Sequence, residues 1–136
     1  MNKTITGILG IFLIVACSKT KEYPDGKWDD IIKLSSKYVE FSANADSAEI
    51  TAKGDWWWIN AVGIGDKVYT LYNREDINLE SNSYVIEEDC FVVAKLDKNT
   101  IFVKMNKNNT GDERILKISL EAGDYFDGVT IKQAAD

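Results

Sequence analysis

The chain has no histidine, one proline and two cysteines in 136 residues. Without histidine there is no Ser–His or Cys–His nucleophile pair and no imidazole metal ligand. No glycine loop able to cradle a phosphate occurs, and there is no internal repeat or low-complexity tract. No apolar run is long enough to cross a bilayer as a helix. Basic residues are outnumbered, 16 against 22 acidic, for a net charge of −6, and they form no block. A phosphate backbone needs a basic surface, so nucleic acid is not an expected partner.

What is present begins with a short apolar run. Ile8, Leu9 and Ile11 to Val15 follow a single charge at Lys3, which is the pattern of a secretory signal peptide. The run ends in Ile14-Val15-Ala16-Cys17, which resembles the bacterial lipobox: apolar residues, a small residue, then cysteine. The resemblance implies that residues 1–16 are removed and that Cys17 is lipidated. The two or three acyl chains of such a lipoprotein anchor it stably to a membrane, where one chain would not. About 120 residues remain, enough for one domain with one core. Cys90 is then the sole free thiol, and no intramolecular disulfide can form. Its acidic neighbours Glu88 and Asp89 blunt a thiol's reactivity, which suits a buried or half-buried structural cysteine.

Residues 17–30 are polar and mixed in charge, and they read as the lipidated cysteine followed by a flexible tether. Its reach is roughly 40 Å fully extended and about 20 Å as a coil. From Ile31 the pattern is strand-like. Val39 and Phe41 alternate with Tyr38 and Glu40, and Ala48, Ile50 and Ala52 with Glu49, Thr51 and Lys53. Leu116, Ile118 and Leu120 alternate with Lys117, Ser119 and Glu121. Period two with one polar face marks a half-buried strand. Trp56 to Val62 forms a longer apolar strand after the turn pair Gly54-Asp55. Val68 to Tyr72 follows, and Cys90 to Leu96 and Ile101 to Met105 flank the hairpin-like turn at Asp97 to Thr100. Short strands between polar turns predict an all-β antiparallel sandwich. Val39, Phe41, Ile50, one face of the tryptophan strand, Val103, Ile118 and Ile131 are the expected core. Residues 73–89 are acidic and aperiodic, and they read as an inserted loop or hairpin.

The order of these pieces resembles the BACON domain, common in exported Bacteroidetes proteins. Phe41-Ser42-Ala43, the strand Ala48 to Thr51 and Gly54-Asp55-Trp56 carry the first half. Asn106 to Gly111, Glu113-Arg114-Ile115, Ile118-Ser119-Leu120 and the closing Val129-Thr130-Ile131-Lys132-Gln133 carry the second. The resemblance spans residues 31–136 and implies an immunoglobulin-like sandwich of about seven strands. It also implies a carbohydrate ligand, of mucin type or another glycan, for some members, and a plain spacer role for others. Surface lipoproteins of Bacteroidetes carry an acidic signal after the lipidated cysteine. Ser18-Lys19-Thr20-Lys21-Glu22 lacks it, which favours the periplasmic side of the outer membrane in the cell envelope.

Trp56-Trp57-Trp58 is the most unusual feature. In a strand Trp56 and Trp58 share one face and Trp57 takes the other. An exposed Trp57 with Tyr69, Tyr72 or Tyr84 would offer a platform for pyranose rings, whose axial C–H groups meet the negative face of an aromatic ring. The alternative places Trp56 and Trp58 in the sandwich centre and Trp57 under the acidic insert. Asp76, Glu80, Glu87, Glu88 and Asp89 form an acidic cluster that reads as a solvated face, with paired-carboxylate hydrolysis or calcium binding as the sharper alternatives. The turn Asp124 to Gly128 carries Tyr125 and Phe126, suited either to a binding rim or to covering the core. Asn108-Asn109-Thr110 is a sequon without its expected machinery, and Asp46-Ser47-Ala48 resembles a Bacteroidetes O-glycosylation acceptor centred on Ser47. No metal, cofactor or catalysis is expected. Two function classes compete: a glycan-binding module, and a structural or protein-interaction lipoprotein that binds no glycan.

Overall fold

The computed structural model describes residues 28–136; the expected signal peptide 1–16, Cys17 and most of the expected tether lie outside the described residues. The described chain is all β. Its nine strands are β1 (Tyr38–Phe41), β2 (Asp46–Thr51), β3 (Trp58–Ile64), β4 (Lys67–Thr70), β5 (Tyr84–Glu88), β6 (Phe91–Lys95), β7 (Thr100–Met105), β8 (Arg114–Ala122) and β9 (Tyr125–Gln133).

Two sheets face each other, a five-stranded one in the order β1-β9-β8-β3-β4 and a four-stranded one in the order β2-β7-β6-β5. The chain passes back and forth between them, the immunoglobulin-like way of burying two apolar sheet faces in one core. Two features differ from the sequence reading. The first strand lies parallel to the last, with Tyr38 beside Thr130 and Phe41 beside Gln133, so the sandwich is not wholly antiparallel. The strand number is nine rather than about seven, partly because the second half of the 73–89 insert is itself a strand, β5. It pairs antiparallel with β6 as the outer edge of the smaller sheet.

Alternation drives the packing. Leu116, Ile118 and Leu120 of β8, Val129 and Ile131 of β9, and Ile59 and Val62 of β3 meet Ile50, Ile86, Phe91, Val93, Ile101, Val103 and Met105 across the core. Of the expected core residues, Phe41, Ile50, Val103, Ile118 and Ile131 are buried and Val39 is partly so. The insert is held by buried Leu71 and Ile77 and by Leu79, which packs on the core edge.

One irregularity positions the site. The β3–β8 register runs Trp58 to Glu121 and Ile59 to Leu120, then resumes at Ala61 to Ser119. Asn60 is therefore an extra residue, a β-bulge that reverses the parity of everything after it. Ile59 and Val62, three apart, both point into the core. Upstream, Ile32 is buried and its carbonyl accepts a hydrogen bond from Gly54 N–H at 3.0 Å. A Cβ at Gly54 would collide with the Ile31 carbonyl oxygen, so the close approach that fixes the entry into β3 requires glycine.

Candidate functional site

The tryptophan run enters β3 with Trp57 facing in. Trp57 is only 2% exposed, and its indole N–H donates to the Gly54 carbonyl at 3.0 Å. The Nζ of Lys95 lies 4.4 Å from the ring centroid and donates to the Trp57 carbonyl at 2.7 Å. The expectation of an outward Trp57 is thus corrected, as is the placing of Trp56 and Trp58 in the sandwich centre. The parity is reversed because Trp57 continues into buried Ile59, and a buried indole needs a partner for its N–H, which Gly54 supplies.

Trp56 and Trp58 take the outer side. Trp56 is 66% exposed and Trp58 half-buried, with their rings edge to face at 5.8 Å between centroids and an angle of 80°. Trp56 rests on Gly123, in the two-residue turn between β8 and β9. That glycine has a φ of 61°, and a Cβ there would sit 3.3 Å from the Trp56 ring. The turn therefore needs glycine for its backbone, and the ring uses the space left by the missing side chain.

Polar groups tie these rings to the sheet. The Trp58 indole N–H donates to the Tyr72 hydroxyl at 3.3 Å, and that hydroxyl donates in turn to the Glu121 carboxylate. The bulged Asn60 sends its amide to the same carboxylate at 3.2 Å. The bond to Glu121 holds the Tyr72 hydroxyl above its ordinary pKa. Glu121 is the cross-strand neighbour of Trp58, so one pair of strands and one bulge bring together a Trp, a Tyr, an amide and a carboxylate.

Of the four residues expected to form an aromatic platform, only Tyr72, 56% exposed, lies in this group. Tyr69 pairs with inward-facing Val62 and stacks edge-on against buried Phe91 at 5.9 Å, so it seals the core. Tyr84 is 8% exposed, and its hydroxyl accepts the Ile59 backbone N–H at 2.8 Å. Burial pushes its pKa up to about 12. The even positions of β5 face the core, and Tyr84 is the first of them.

A cavity of about 520 Å³ opens beside the rings. One wall is the run Asp55 to Trp58, and Tyr72 stands across from it. Leu79, Glu80 and Asn82 of the insert close a further side, and Lys95 also lines the space. Lys95 occupies an inward-facing position of β6 in step with Phe91 and Val93, and is 3% exposed. Burial lowers its pKa. Sequence alternation from Phe91 marks that position as inward, but a lysine at a strand end reads as the start of a turn.

The remaining sequence candidates fall elsewhere. Arg74 binds Asp76 through two nitrogens at 2.8 and 2.7 Å and lies 3.6 Å from Glu88, which ties the insert to β5. Among the described residues no group of three or more His, Cys, Asp or Glu converges as a metal set would. Phe126 is exposed, while Tyr125 packs against the core. Ser47 is exposed on the edge strand β2. Cys90 is a half-buried free thiol in the β5–β6 turn. Asn108 is fully buried, and its carboxamide donates to the Asp112 and Ala134 carbonyls at 2.7 and 2.9 Å and accepts from Thr110. The amide of the sequon is therefore a structural clamp.

No family model matches the chain, and no curated protein does. Among solved structures it is similar to an NMR structure of a protein from Bacteroides thetaiotaomicron. The two are 25% identical over 85% of this chain and 95% of the other, with a TM-score of 0.60.

Proposed function

We propose that this protein is a non-catalytic, lipid-anchored envelope protein that binds carbohydrate on Trp56, Trp58 and Tyr72. The observation that carries the reading is Trp56: a large apolar ring, two-thirds exposed, braced by Trp58 and Gly123 at the mouth of a cavity. Exposing so much apolar surface is unfavourable in water unless a ligand covers it. Glu121, Asn60 and the Tyr72 hydroxyl supply hydrogen-bonding groups beside the rings, the mixture of apolar face and polar edge that a sugar presents. Glu121 is engaged by Tyr72 and Asn60, which supports binding over proton transfer. The lipobox ending in Cys17 and the BACON-like segments support the placing as an exported lipoprotein, and Ser18 to Glu22, which hold no acidic run, favour the periplasmic side of the outer membrane.

A stack on two or three rings predicts weak binding, around 0.1–1 mM. A glycan array, followed by titration of hits through tryptophan fluorescence, tests it. Trp56→Ala should abolish the response while the fold persists. A second reading, a protein-interaction role without glycan, has one observation behind it: β4 is an edge strand that exposes Val68. A silent array together with specific peptide pairing along β4 would establish that reading in place of the first.

A further inference from the structure

We infer that the cavity beside Trp56 takes a saccharide bearing a carboxylate, and that the Lys95 ammonium binds that group. This deepens the carbohydrate reading and rests on it. Lys95 has three N–H donors. Among the described residues one goes to the Trp57 carbonyl at 2.7 Å, and the charge lies over the Trp57 ring at 4.4 Å. No carboxylate lies within ion-pair distance of Lys95 among the described residues. A buried ammonium held by one neutral oxygen and a ring face is under-compensated, because buried charges are normally paired. Trp57 holds the amine through both its carbonyl and its ring, which leaves two donors for a ligand. Lys95 lines the same cavity as Trp56 and Tyr72, so a pyranose stacked on the outer rings can turn its carboxylate inward.

Two acidic side chains also line the cavity, Asp55 and Glu80. Both are exposed, and Asp55 lies 3.8 Å from Lys98. Exposed charges are screened within about 8–10 Å at physiological salt, whereas a buried charge keeps its field. The buried cation therefore sets the sign of the preferred ligand, and the screened acids weaken that preference without reversing it.

The test compares acidic and neutral partners of one shape. Trigalacturonate is titrated against its methyl ester, and sialyllactose against its methyl ester, with the purified protein and tryptophan fluorescence as the readout. The acid of at least one pair should bind about tenfold more tightly than its neutral partner. Which pair responds distinguishes a uronic from a sialic source. Lys95→Met should bring that tenfold preference down to near parity, read as the ratio of acid to neutral affinity. Glu80→Gln, at an exposed position, should strengthen acid binding alone and gives a check if Lys95→Met unfolds. Equal binding of acid and neutral partners by the native protein overturns this inference but leaves the carbohydrate reading standing. Lys95→Met weakening both alike also overturns it, since a purely structural lysine would behave so. Binding of no saccharide at all overturns both.

Discussion

At the scale of single residues, the two sides of the tryptophan run predict opposite phenotypes. Trp57→Ala removes a buried ring and should destabilise the domain by about 3–5 kcal/mol. Trp56→Ala should change stability by no more than about 0.5 kcal/mol, because that ring is mostly solvated. Urea melts of the two variants separate the roles directly. Tyr84 predicts an alkaline signature. Its folded pKa is raised from 10.0 to about 12, so folded and unfolded chains are equally protonated below pH 10 and no stability is lost there. Between those values the unfolded tyrosine ionises and the folded one does not, so stability falls by about 2–3 kcal/mol as pH rises through the window. Tyr84→Phe should make that slope shallower, while leaving Ile59 N–H unpaired at a cost of about 1–3 kcal/mol at neutral pH. Lys95 acts in the other direction. Its folded pKa is lowered below 10.5, so the unfolded chain binds more protons just under that value and stability rises with pH there. Lys95→Met should remove the rising contribution and so steepen the fall in stability, visible in melts taken across alkaline pH. The parity behind these assignments is partly legible in the residues. Trp57 continues into Ile59 and Trp58 into Asn60, which points Trp57 inward. What defeats the reading is Val62, which shares sequence parity with Trp56 and Trp58 and lures them toward the core. The bulge at Asn60 reconciles the two, and no residue type announces it.

At the scale of elements, the sharpest dependence is the Gly54 turn. The Ile31 backbone occupies the place of a side chain there, and the same glycine accepts the Trp57 indole N–H. Gly54→Ala should push the entry of β3 away from Ile31 and Ile32, costing about 1–3 kcal/mol. The change should also alter near-ultraviolet dichroism, because Trp56 to Trp58 move with the turn. Retained stability with an unchanged tryptophan signal would show that the approach relaxes freely. Strands with clean alternation, β2 and β8 above all, can be read from sequence because one face meets solvent along their length. The parallel β1–β9 pair cannot, since its four-residue partners lie at opposite ends of the domain and nothing local encodes their direction. The insert is legible as an addition but not as a strand. Tyr84 and Ile86 give only two inward positions among acidic neighbours, and their burial depends on β6 being alongside. The candidate site follows the same rule: its aromatic residues are visible in sequence, whereas Glu121, Asn60 and Lys95 join it through long-range pairing.

For the whole molecule, the segment ahead of the core decides how the candidate site would be presented to its surroundings. The described fold begins to bury side chains at Ile32, and Trp28 upstream is exposed. With the first buried side chain at Ile32, anchorage at Cys17 and folding should be separable. Under the lipid-anchor proposal, residues 18–30 give the site a working distance of about 20–40 Å from the bilayer, enough to sample glycans without lifting the domain. Intact-mass measurement on the membrane fraction should therefore find a chain beginning at Cys17 with acyl mass attached. Cys17→Ala should move the protein to the soluble fraction with its melting temperature unchanged. A first residue other than Cys17, or an unacylated chain that stays with the membrane, would remove the anchor from the proposal. A loss of thermal stability in the soluble variant would show instead that the segment before Trp28 contributes to the fold.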